Sequence, residues 1–112
     1  MEKGDIRVVT SSLTLTEVLV HPHRHADQAL VQQYSEILLQ APNLTMVPVS
    51  AAIAGEAARL RAIYGMRTPD AIQAATAISE NASAFLTNDI GFKGPTTLKI
   101  IVLATVLKNL QP

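Results

Sequence analysis

Short β-branched runs alternate with longer apolar stripes of helical period along this chain, and that alternation sets the order of its elements. Ile6-Arg7-Val8-Val9-Thr10 is followed by a Ser/Thr cluster, which predicts a strand entering a helix that starts between Ser11 and Thr14. Pro22 predicts the end of that helix just before it. From Ala26, apolar positions recur at Ala29, Leu30, Tyr34, Ile37 and Leu38, the stripe of an amphipathic helix, until Pro42-Asn43 interrupts it. A second strand is expected from Leu44 to Val49. Ser50 suits the N-cap of a helix with Ile53, Ala57, Leu60 and Tyr64 facing inward and Gly65 as its stop. Thr68-Pro69 opens a further helix, with Thr as N-cap and Pro at a position where its missing N–H is not needed. Ala71, Ala74, Ala75 and Ile78 give that helix a face of mostly small residues that can lie close against a sheet, as far as about Glu80. Ala84 to Thr87 is a third strand, ending at Asn88-Asp89, and Ile100 to Leu103 a fourth.

Strands alternating with helices imply an α/β fold, a mostly parallel sheet with helices on both faces and functional groups beyond the carboxyl ends of the strands. The 112 residues suffice for one domain, 1–112, and contain no internal repeat, low-complexity tract or linker. Hydrophobic residues at 48% against 16% charged place the chain among globular sequences. No apolar run reaches the roughly 18 residues of a membrane span, and no signal-type segment follows the charged start, so no membrane association is expected and the default compartment is the cytoplasm. The absence of cysteine excludes disulfides and thiolate metal sites. A net charge of zero removes any protein-wide field attracting nucleic acid, so such contacts must be local.

Candidate chemistry lies in the carboxylates. Glu17 falls just inside the helix after the first strand, Asp70 in the first turn of a later helix, and Asp89 directly beyond the third strand. In a parallel sheet these places share one end, where the side chains can converge. Converging carboxylates raise one another's pKa values unless a cation sits among them, and hard oxygen donors suit magnesium or manganese better than zinc. Each acid also has a plainer reading. Thr14-x-x-Glu17 fits a capping box, Asp70 complements a helix dipole, and Asp89 suits a turn. Periodicity does not choose between them.

The segments Val9-Thr10-Ser11-Ser12-Leu13-Thr14-Leu15-Thr16-Glu17-Val18-Leu19, Tyr64-Gly65-Met66-Arg67-Thr68-Pro69-Asp70-Ala71-Ile72-Gln73 and Phe85-Leu86-Thr87-Asn88-Asp89-Ile90-Gly91-Phe92 together resemble the PIN domain of VapC-type toxins. They stand in family order and with family-like spacing, over roughly residues 5–105. The resemblance implies a metal-dependent endoribonuclease of the toxin–antitoxin kind. Glu17, Asp70 and Asp89 become metal-site acids, with Thr87 and Asn88 lining the same end of the sheet. Magnesium or manganese would activate a water for attack on an RNA phosphodiester. An antitoxin protein and a second copy of the chain are the implied protein partners.

PIN domains begin with an apolar strand ending in an acid, placed in the middle of the sheet, and nothing before Ile6 resembles it. The PIN-like fold is therefore expected to be incomplete, its first strand absent, with the Ile6–Thr10 and Ala84–Thr87 strands flanking a gap. Direct pairing of those two strands would close the gap within one chain. Exchange between copies, the expected outcome, would make a homo-oligomer. A missing ligand leaves the ion poorly held, so the chain alone is expected to be weakly active or inactive. The competing reading is a catalytically silent PIN-like chain acting through protein association.

Other residues are less specific. His21-Pro22-His23-Arg24-His25 clusters three imidazoles but reads better as a solvated connector than as a metal site. Arg67 adjoins the acids and is the best candidate for RNA phosphate contact, while Arg59 and Arg61 fit a solvated helix face equally well. Tyr34, Tyr64, Phe85 and Phe92 are expected in the core or at its rim.

Overall fold

The computed structural model describes residues 7–88 and 99–102, and within them strands and helices alternate as the apolar pattern predicts. The order is β1 (Val8–Ser11), α1 (Ser12–Arg24), α2 (Gln28–Gln40), β2 (Leu44–Val47), α3 (Ala51–Tyr64), α4 (Thr68–Ser79), β3 (Ala84–Thr87) and β4 (Lys99–Val102). The strands form one parallel sheet in the order β2-β1-β3-β4. Alternate side chains of each strand point to opposite faces. Val9, Val47, Phe85 and Ile100 therefore pack with α3 and α4, around Ile53, Ala57, Leu60 and the alanines of α4. Val8, Leu44, Met46, Leu86 and Ile101 pack with Val18, Leu15, Tyr34 and Leu38 of α1 and α2. The sheet is covered on both faces, and its strands all end at the same edge.

Local chemistry fixes the ends of the helices. Ser11 caps α1 by accepting from the Leu13 N–H at 3.1 Å, Asp27 caps α2 through Leu30 at 3.0 Å, and Ser50 caps α3 through Ile53 at 3.2 Å. Gly65 closes α3 at φ 67°, a left-handed conformation that costs glycine nothing.

Several expectations are corrected. Helix α1 runs through Pro22 to Arg24: the proline ring is fully buried, and its carbonyl accepts from the Asp27 N–H at 2.9 Å. Burial there offsets the one backbone bond that proline cannot make, and Ala26 at φ 51° turns the chain instead. His21 and His23 are consequently helical, and only His25, the C-cap of α1, begins the connection to α2. Arg67, not Thr68, is the N-cap of α4 and makes no side-chain cap bond, while Pro69 becomes the second helical residue, where its missing N–H is equally harmless. Tyr64 and Ile78 are 69% and 48% exposed, because both lie in last turns where the apolar stripe outlasts the surface that covers it. The second strand stops at Val47, ahead of Pro48.

No gap separates β1 from β3. They pair directly through Val8 with Ala84 and Val9 with Phe85, and the entry to the pair is fastened by the Ser83 hydroxyl, which accepts from the Arg7 N–H at 3.1 Å. This pairing covers two residue pairs, against four in each of the neighbouring ladders. Beyond it the strands part, and the Thr10 hydroxyl spans the seam by donating to the Leu86 carbonyl at 2.7 Å.

Candidate functional site

In an open parallel sheet the natural crevice lies beyond the carboxyl ends of the two strands between which the connections reverse direction. Here those strands are β1 and β3, since β1 connects outward to β2 and the chain returns to β3 on the other side. An open cleft of about 420 Å³ lies at this end, lined by Glu17 and Val20 from α1, Arg67 and Pro69 from the start of α4, and Asn88 just after β3. Glu17 is half-buried. Arg67 connects this lining to Asp70, its Nε donating to Oδ2 at 3.0 Å. The Asp70 side chain is 18% exposed and that of Arg67 is 70% exposed. The carboxylate is thus mostly shielded at the positive end of α4, while its cationic partner reaches into water. Thr87 closes β3 as a buried residue directly before exposed Asn88. Of the residues singled out by sequence, Glu17, Arg67 and Asn88 share one cleft, Asp70 joins it through Arg67, and Asp89 lies outside the described residues.

The candidate donors are oxygens: the Glu17 carboxylate and the Asn88 amide in the cleft lining, and the Asp70 carboxylate beside it, held by Arg67. That chemistry fits a hard divalent ion such as magnesium or manganese and offers nothing to a soft one. Among the described residues no group of three or more His, Cys, Asp or Glu comes together. The capping-box reading of Glu17 does not hold, because Ser11 is the N-cap of α1 and the Thr14 hydroxyl accepts from Gln73.

The remaining candidates fall to structural roles. His21, in the last turn of α1, and His25, its C-cap, have ring centroids 4.2 Å apart, edge to face. Arg59 pairs with Glu56 at 2.6 Å, and this hydrogen bond holds the Glu56 carboxyl below its usual range. Arg61 donates to the Met66 carbonyl at 3.0 Å. Phe85 is core and Tyr34 packs against the α1/α2 cluster, as expected; Phe92 lies outside the described residues.

Sequence reasoning missed a buried polar group behind the cleft. The Ser11 hydroxyl donates to Gln73 Oε1 at 2.6 Å, and Gln73 Nε2 donates to Thr14 Oγ1 at 2.8 Å. Its one sequence signal is a glutamine inside the small-residue run Ala71-Ile72-Gln73-Ala74-Ala75.

Comparison with known proteins agrees with this architecture. A family model described as PIN domain matches residues 1–95. A solved structure, a toxin-antitoxin complex from Klebsiella pneumoniae, superposes with a TM-score of 0.58 over 79% of this chain and 68% of that one, at 22% identity. That likeness is one of fold. A search of curated proteins finds no match.

Proposed function

Because the chain belongs to the PIN domain family, whose members are generally nucleases, we propose that it is a metal-dependent endoribonuclease of the toxin–antitoxin kind. The observation that carries this reading is the cleft at the switch point of the sheet, where Glu17 and Asn88 meet Arg67, the ion-pair partner of Asp70. Glu17, Asp70 and Asp89 are the residues that would hold magnesium or manganese. When bound, the ion supplies a nucleophilic water at neutral pH and charge stabilisation at the phosphate. Arg67, whose side chain is 70% exposed beside the cleft, is suited to an RNA phosphate, which guanidinium matches in shape and charge. Asn88, in the cleft lining, would contact the substrate strand, and Thr87, buried directly before it, would hold it in place. The Klebsiella neighbour is a toxin-antitoxin complex, which supports an antitoxin protein as partner of this chain, and the family resemblance supports a homo-oligomer. The described helices include none long and apolar enough to cross a membrane.

The test is cleavage of single-stranded RNA in manganese by the wild-type chain and by Glu17→Gln and Asp70→Asn. Each substitution is expected to lower the rate by more than the roughly 10- to 100-fold that loss of an outer-shell partner costs, with the circular dichroism spectrum unchanged. Undiminished cleavage in both variants removes these acids from the reaction. The competing reading is a catalytically silent chain acting through protein association. Binding of a partner protein without RNA cleavage in manganese would decide for that reading.

A further inference from the structure

The buried trio of Ser11, Gln73 and Thr14 lies between the two helices that carry the acids. Gln73 is 3% exposed, and Ser11 and Thr14 are fully buried. Burying a carboxamide is costly unless both its ends are bonded, and here both are. Stability alone does not require this arrangement, since replacing bonded partners with apolar groups of the same shape can leave stability nearly unchanged. What the trio adds is direction. The Ser11 hydroxyl accepts from the Leu13 N–H while donating to Gln73, so the amide is locked to the cap that starts α1. Its other end reaches Thr14 in the first turn of that helix.

The register of these contacts matters. Residues three apart are neighbours on a helix surface. Thr14 therefore neighbours Glu17 going forward along α1, and Gln73 neighbours Asp70 going backward along α4. One step further in the same directions come Val20 and Arg67, and both line the cleft with Glu17. The Gln73–Thr14 bond is thus a rung one helical turn away from the acids, and it fixes how α1 and α4 cross at the point where the sheet seam has parted.

We propose that Gln73 is a positioning residue, whose carboxamide clamps the cap and first turn of α1 to α4 so that Glu17 and Asp70 are presented to one cleft. This rests on the proposed metal site. Ligands of a metal ion need outer partners to hold them in place, and loss of such a partner typically weakens affinity about 10- to 100-fold.

Manganese binding to the full chain, followed by the paramagnetic resonance signal of the free ion, tests the clamp without any need for activity. Gln73→Met removes both bonds at similar volume. Thr14→Val removes only the rung, and Thr14→Ser restores the hydroxyl. Gln73→Met and Thr14→Val are expected to raise the manganese dissociation constant about 10-fold or more, whereas Thr14→Ser and the remote core change Ile53→Val leave it within about 2-fold. If Gln73→Met does not fold, the Thr14 pair alone decides. Unchanged affinity in folded Thr14→Val, or an equal loss in Ile53→Val, overturns the clamp and leaves the metal site standing. Absence of manganese binding to the wild-type chain overturns the metal site itself, and the positioning role with it.

Discussion

Arg67 and Thr10 show how two polar contacts of similar length carry different weight. The Arg67–Asp70 pair is 3.0 Å long, but the guanidinium side chain is 70% exposed, so solvent screens the pair and its contribution to folding is about 0–1 kcal/mol. Arg67→Gln is therefore expected to leave the urea midpoint nearly unchanged while weakening RNA binding; a large loss of stability would assign Arg67 to the fold instead. Thr10 is fully buried, and its hydroxyl donates to the Leu86 carbonyl where β1 and β3 have parted. Thr10→Val keeps the shape and leaves a buried acceptor unmet, so unfolding free energy should fall by about 1–3 kcal/mol. A loss below about 0.5 kcal/mol in urea denaturation would show that the seam does not depend on this bond. Glu17 and Asp70 stood out in the sequence because acids after strands and at helix starts are recognisable by position. Gln73, Ser11 and Thr14 did not, because their partners lie 59 and 62 residues away and no local pattern encodes that pairing.

Helix boundaries were legible wherever one residue dictates the backbone, and misread where burial overrides a local preference. Ser50 and Gly65 bound α3 as read from the sequence. Gly65→Ala keeps the contacts but forces a side chain into the left-handed region, at a cost of about 1–2 kcal/mol, readable as a lower thermal midpoint. An unchanged midpoint would mean that the α3–α4 turn relaxes to another conformation. Pro22 is the opposite case. Its local preference stops a helix, yet α1 continues because the ring fills a buried site. The strands were found from β-branched runs with ends correct to within about two residues, the usual limit of boundary reading. Periodicity points Tyr64 and Ile78 inward, yet both are exposed, because it gives a direction around the helix axis and says nothing about where the covering surface ends.

For the molecule as a whole, the sheet order decides how the chain satisfies its own backbone. The family resemblance led to an expectation of two unpaired strands flanking a gap, and hence to copies exchanging strands. Instead β1 and β3 pair directly, fastened at one end by Ser83 and Arg7 and across the seam by Thr10. Phe85 and Val9, both fully buried, pack across this pairing in one core with α3 and α4, so separating the strands would expose the centre of the molecule. An oligomer of this chain therefore has no need of β1 or β3, and would form through a different surface. Pairing within one chain does not depend on concentration, whereas pairing between copies shifts with mass action. Amide hydrogen exchange in β1 and β3 should accordingly be among the slowest in the protein, as expected of core strands. That protection should persist on dilution through the range in which light scattering shows any oligomer dissociating. Protection lost together with the oligomer would show that the strands are paired between copies, and would replace the closed sheet with an exchanged one.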